Sequence, residues 1–193
     1  MARTKGRGGV PSVAIELLES DHRKVEGLFD RFERAKEGDE ESKRAIAQRI
    51  CGELKVHTQL EEELFYPWLR ENMDEEEMEL LEEAYVEHAS AKDLIAQIEA
   101  ASEVDVVFDA KVKVLSEYVK HHVKEEEGEI FKAVRDMHDE LDELGQEMHA
   151  RKAELMDEHG LVAEDDDEMA RGAMAGERAR SSGAHGQGAQ RSR

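Results

Sequence analysis

Four amphipathic helical patterns follow one another along the chain, and each carries one histidine on its apolar stripe. The first begins at Ser12, a suitable N-cap, and runs through Ile15, Leu18, Val25, Leu28, Phe29 and Phe32 to a break at 36–38. The second spans about Ser42 to Arg70, with Ile46, Ile50, Leu54, Leu64 and Trp68 in register, and Pro67 bends it or ends it early. The third follows Asp74 with Met78, Leu81, Tyr85, Ile95 and Ile98; the fourth starts near Asp105 with Phe108, Leu115, Val119, Ile130 and Val134. Helices of similar length with short connections must bury their stripes against one another. The expected fold is therefore all-α, an up-down-up-down four-helix bundle.

A fifth, shorter pattern (Leu141, Leu144, Met148, Leu155) ends near Gly160 and either packs outside the bundle or extends helix four. Residues 1–11 read as a flexible basic start, 12–160 as the bundle, and 161–193, poor in large apolar groups, as a disordered tail. Composition agrees with a helical chain: 39% of the 193 residues are charged and only 5% aromatic, and the two prolines are Pro11 and Pro67. The formal charge of -21 argues against nucleic acid or an anionic membrane as partner, although acidity by itself also serves solubility. Cys51 is the only cysteine, so neither an intrachain disulfide nor a thiolate metal cluster can form. No run reaches the roughly 18 apolar residues of a membrane span. The start MARTKGRGGVPS has no apolar run behind it, and the cytoplasm is the expected location.

The histidines carry the chemistry. Four His-x-x-x-Glu pairs occur: His22/Glu26, His57/Glu61, His121/Glu125 and His122/Glu126. What separates them is the face on which each falls, since residues three, four and seven apart share a side. His57 and Glu61 lie on the stripe of Ile50, Leu54, Leu64 and Trp68; His22 lies between Leu18 and Val25; His88 follows Leu81 and Tyr85 and precedes Ala91 and Ile95. His122 and Glu126 share a stripe with Leu115, Val119, Ile130 and Ala133, whereas His121 aligns with Glu125, Gly128 and Lys132 and points to solvent.

Depth is a second check. His22 stands as far before Lys36 as His57 stands after Ser42, to within one residue, and His57 and His88 match equally well about the turn between Arg70 and Asp74. His88 and His122 match only if helix four opens with a loose turn. At about 1.5 Å per residue, all four histidines fall near one level of the bundle.

Burying four imidazoles and two carboxylates without partners would cost about several kcal/mol per group. A metal removes that cost. A nitrogen and oxygen donor set without thiolate suits iron, and less specifically manganese or zinc, and two Glu among four His suit a pair of ions bridged by carboxylate. A lone core histidine is more often a hydrogen-bonded core residue than a ligand; four at one level, two with a core-facing Glu, reverse that preference. Glu61–Glu63, Glu75–Glu77 and Glu125–Glu127 otherwise read as solvated faces, and His138, His149, His159 and His185 as residues outside the site.

The segments DHRKVEGLFDRF, HTQLEEELFYPWL, VEHASAKDLI and HHVKEEEGEIF resemble the hemerythrin-like (HHE, cation-binding) family over about residues 11–158. The second and fourth look like one motif used twice: His, three residues, Glu, then an aromatic near Pro67 or, in the later copy, Lys132. The resemblance implies a four-helix bundle around a non-haem pair of irons, with His22, His57, Glu61, His88, His122 and Glu126 as ligands and the two Glu bridging. Oxygen-carrying members have a second histidine one turn from the third-helix ligand; here those positions are Ala84 and Lys92. Four His and two Glu resemble the more divergent members, associated with iron or oxygen sensing and peroxide handling.

The expected function is binding or sensing of oxygen or nitric oxide at the iron pair. The alternatives are a di-iron enzyme consuming hydrogen peroxide or oxygen, with Tyr85 or Tyr118 as candidate donors, and iron buffering. Nothing in the pattern specifies an oligomeric state.

Overall fold

A computed structural model describes residues 12–36, 38–73 and 78–161. The expected flexible start and, apart from Leu161, the expected disordered tail lie outside the described residues. Those described are helical, with no strand among them: α1 (Val13–Arg34), α2 (Glu40–Leu60), α3 (Tyr66–Asn72), α4 (Met78–Glu99), α5 (Val106–Glu125), α6 (Phe131–Val134) and α7 (His138–Glu158). Wide π turns, Glu61–Phe65 and Glu126–Ile130, join α2 to α3 and α5 to α6. The long helices pack α1 on α2, α4 on α5, α2 on α4 and α1 on α5.

Local chemistry fixes the helix starts. Asp39, three residues before the expected Ser42, caps α2 by accepting from Ser42 N at 3.2 Å. Asp105 caps α5 by accepting from Val107 N and Phe108 N at 3.0 and 2.9 Å. Ser12 makes no side-chain cap; Asp142 of α7 accepts from Val13 N at 2.9 Å instead. At that crossing a Cβ on Gly145 would stand 2.5 Å from Ala14 N, so only glycine lets α7 approach so closely. The fifth pattern is thus a separate helix lying on α1 and α2, not an extension of the fourth. The surplus length of helix four is not a loose turn either: it is helical, and it leaves Val106 and Val107 in solvent, 81% and 54% exposed.

The stripe expected in the second helix holds as far as Glu61 and then slips. Phe65, Tyr66 and Leu69 are buried, while Leu64 and Trp68 are only half-buried. The cause is the π turn, in which Tyr66 N bonds Glu61 O five residues back and one extra residue rotates everything after it. Pro67, lacking an N–H, favours the opening. The second π turn has no proline, but Gly128 lies inside it, and Phe131 N bonds Glu126 O in the same way. Here Ile130 and Val134 are buried as expected, and Ala133, expected on the same stripe as His122, is exposed.

Candidate metal centre

At mid-height α1, α2, α4 and α5 bring His22, His57, His88 and His122 together, all buried, with Glu61 and Glu126 fully buried between them. The Nε2 atoms converge: His22 to His57 at 3.2 Å, and His88 to His122 at 3.3 Å. Glu61 Oε2 lies 3.3 Å from both His57 Nε2 and His88 Nε2, so this carboxylate spans the two histidine pairs. Glu126 Oε2 spans them from the other side, 3.2 Å from His22 Nε2 and 3.9 Å from His122 Nε2. Two donors each about 2.1 Å from one ion, at 90 to 109°, stand about 3.0–3.4 Å apart. Most of these spacings fall in that range. Two groups could hold a metal ion here, His22/His57/Glu61/Glu126 and Glu61/His88/His122, and they share Glu61.

The opposite ring nitrogens are braced. His22 Nδ1 meets Glu127 at 2.9 Å, His88 Nδ1 meets Glu62 at 3.1 Å, and His122 Nδ1 meets Glu87 at 2.9 Å. His57 Nδ1 faces Asp21 at 3.7 Å. A carboxylate on Nδ1 orients an imidazole and strengthens Nε2 as a donor to metal. Glu62 and Glu127, read from the sequence as parts of solvated runs, therefore belong to the site. Their signal was their position, each one residue after a ligand-type Glu at the start of a π turn.

None of the four oxygens of Glu61 and Glu126 has a hydrogen-bond partner. The buried Glu53 shows the ordinary solution to such a burial, with Lys24 at 2.7 Å and Arg49 at 2.6 Å. Glu61 and Glu126 have only imidazoles before them. Burial pushes Glu61 well above the usual carboxylate range, and the adjacent Glu126 adds to this; burial acts the same way on Glu126, but His22 overcomes it and holds that group low. Burial likewise opposes charging of His22, yet Glu126 and Glu127 raise it to about 10. Burial lowers His57 to about 4 against the pull of Asp21, leaving a neutral imidazole. Hard oxygens without donors, facing convergent imidazole nitrogens, fit a cation.

Sequence reasoning missed the tyrosine that matters. Tyr66 is fully buried, with its hydroxyl 3.3 Å from His88 Nε2 and its ring stacked on His88 at 5.3 Å. Phe131 holds the matching place over His22, at 6.1 Å. Tyr85 packs edge-on against Tyr66 at 5.1 Å, and Tyr118 is exposed at the rim. Only the π turn puts Tyr66 on the inner face, which α-helical spacing hides. His121 is 55% exposed, as expected, and pairs with Glu125 and Glu87; Glu26 pairs with Arg23. Beside the histidine layer is a cavity of about 20 Å³. Its walls include the four histidines, Val25 and Leu54, but neither Glu61 nor Glu126.

The family model for the hemerythrin HHE cation binding domain matches residues 13–134, the stretch that supplies every residue of this cluster. The chain belongs to the hemerythrin HHE cation-binding family. Its fold resembles the crystal structure of an HHE cation binding domain-containing protein from Mycobacterium kansasii, with a TM-score of 0.62 at 23% identity over 76% of this chain and 88% of that one. A relative from Nostoc sp., named a DNA nickase, is 28% identical over 147 residues, which are 75% of this HHE chain but only 40% of the relative. Among the described residues of the HHE protein, no helix is long and apolar enough to cross a membrane.

Proposed function

We propose that this HHE protein holds two iron ions bridged by Glu61 and Glu126, one on His22 and His57 and one on His88 and His122. On this reading α1, α2, α4 and α5 form an up-down-up-down bundle with α7 outside it, and the protein binds or senses oxygen or nitric oxide. The observation that carries it is the set of four unpartnered carboxylate oxygens enclosed by four Nε2 atoms. A pair of ferrous ions supplies reversible coordination of a small molecule and electrons to reduce it. The chain's residues do the rest: the outer carboxylates fix the rings, and Val25, Leu54 and Val119 keep the cavity wall apolar. About 10–15 Å³ of such space takes one water, so the cavity favours a diatomic molecule or peroxide over anything larger.

One observation favours a second reading, an enzyme consuming peroxide or oxygen. Tyr66 places its phenolic oxygen 3.3 Å from His88 Nε2, where the hydroxyl can give a proton and an electron inward. The test is elemental analysis of aerobically purified protein with its visible spectrum, followed by anaerobic reduction and addition of oxygen, nitric oxide or peroxide. Two irons per chain and a reversible adduct support binding, sustained peroxide loss supports the enzyme, and iron without either supports buffering. No metal uptake after anaerobic ferrous loading overturns the whole reading.

A further inference from the structure

The centre is made of two like halves. His22, His57, Glu61 and Glu127 in one play the parts of His88, His122, Glu126 and Glu62 in the other. Asp21 and Glu87, each the residue before a histidine of the cluster, are likewise matched: each faces the Nδ1 of the next helix's histidine. In this last pair the likeness fails. Glu87 Oε2 stands 2.9 Å from His122 Nδ1, a full hydrogen bond, whereas Asp21 Oδ2 stands 3.7 Å from His57 Nδ1 and both atoms lack a partner.

The difference comes from α7. Lys152, on that helix, ion-pairs with the other oxygen of Asp21 and is mostly buried there. α7 lies against α1 and α2, and Glu87 instead has His121, exposed and 3.5 Å away, on its far oxygen. The remaining braces are equivalent: Arg23 backs Glu127 as Lys92 backs Glu62.

We infer that Lys152 is a positioning residue which, by drawing Asp21 away from His57, makes the two metal positions unequal, so that the His88/His122 position fills first and binds more tightly. The inference rests on the two-ion reading above. An outer carboxylate on a metal-bound histidine is worth about 10–100-fold in affinity. His122 has that support and His57 lacks it, so the two steps of loading differ by about that factor.

The test is anaerobic ferrous titration by calorimetry of the full chain, wild type against Lys152→Met, Asp21→Asn and Glu87→Gln. In the wild type two steps are resolved. Lys152→Met frees Asp21 for His57 and narrows the gap about 10-fold or more, chiefly by strengthening the second step. Glu87→Gln weakens the first step about 10–100-fold, while Asp21→Asn leaves the second within about 3-fold, since the bond it would remove is not made. Equal steps in the wild type, or an unchanged gap in Lys152→Met, overturn the inference. Asp21→Asn keeps the comparison open should Lys152→Met fold poorly. Proton spectra of metal-free protein give a reading that needs no metal: the His57 Nδ1–H resonance moves downfield in Lys152→Met, and an unmoved resonance counts against the role of Lys152. Wild-type protein that takes up no iron defeats the two-ion reading instead, and the spectra still decide about Lys152.

Discussion

Replacing Glu61 by methionine, a side chain of similar length and shape, separates a metal ligand from a core residue. In the metal-free protein Glu61 is fully buried and neither oxygen has a partner. Burial raises its pKa, so its charged form is disfavoured, and its hydrogen-bonding groups go unmet. An unsatisfied buried polar group costs about 1–3 kcal/mol, and apolar replacement of buried ionic groups has stabilised other proteins by about 1–4 kcal/mol. Metal-free Glu61→Met is therefore expected to be more stable than wild type by about 1–3 kcal/mol. At about 2–4 °C per kcal/mol for a chain of this size, the melting temperature rises about 2–12 °C. Ferrous iron reverses the order, because an ion at 100 times its Kd adds about 2.7 kcal/mol to wild type and little to the variant. The assay is thermal unfolding followed by circular dichroism, anaerobically, with chelator and with iron. A metal-free variant that melts below wild type, or equal stabilisation of both proteins by iron, would refute the reasoning.

Elemental analysis should show metal content lost in His122→Ala and retained in His121→Ala, since only the first lies in the buried cluster. Loading at pH 7 should release a proton from His22, whose pKa Glu126 and Glu127 raise to about 10 against the effect of burial; an indicator dye in weak buffer measures it. The same His22 shift contributes stability to the metal-free fold that is complete below pH about 6.5 and lost as pH rises through about 10, so its melting temperature should fall across that window. Gly145→Val should destabilise by about 1–3 kcal/mol or more in a urea melt, because the added carbons meet α1 backbone.

Helical spacing was enough to find the four buried histidines and their two glutamates, because α1, α2, α4 and α5 are regular. It failed beyond Glu61, where a single extra residue moves the buried face from Leu64 and Trp68 to Phe65, Tyr66 and Leu69, whereas beyond Glu126 Ile130 and Val134 stay buried and only Ala133 does not. No α-helical periodicity contains that step, so Tyr66 was invisible and Tyr85 and Tyr118 stood in for it. The outer shell escaped for another reason. Glu62 and Glu127 sit in runs of glutamate and Glu87 stands alone before His88, and only the packing of a second helix tells a brace from a solvated face. Lys152 belongs to a helix whose placement depends on Gly145, a residue that hydropathy does not register.

The burial of the histidine layer also sets a clock. His22, His57, His88 and His122 are each at most 7% exposed, and the cavity beside them is too small for any chelator. A chelator reaches an ion seated there only when the helices part, so the ion's departure follows the local opening of the bundle rather than the strength of the competitor. Release should be first order, with a rate that stays constant as chelator concentration is raised.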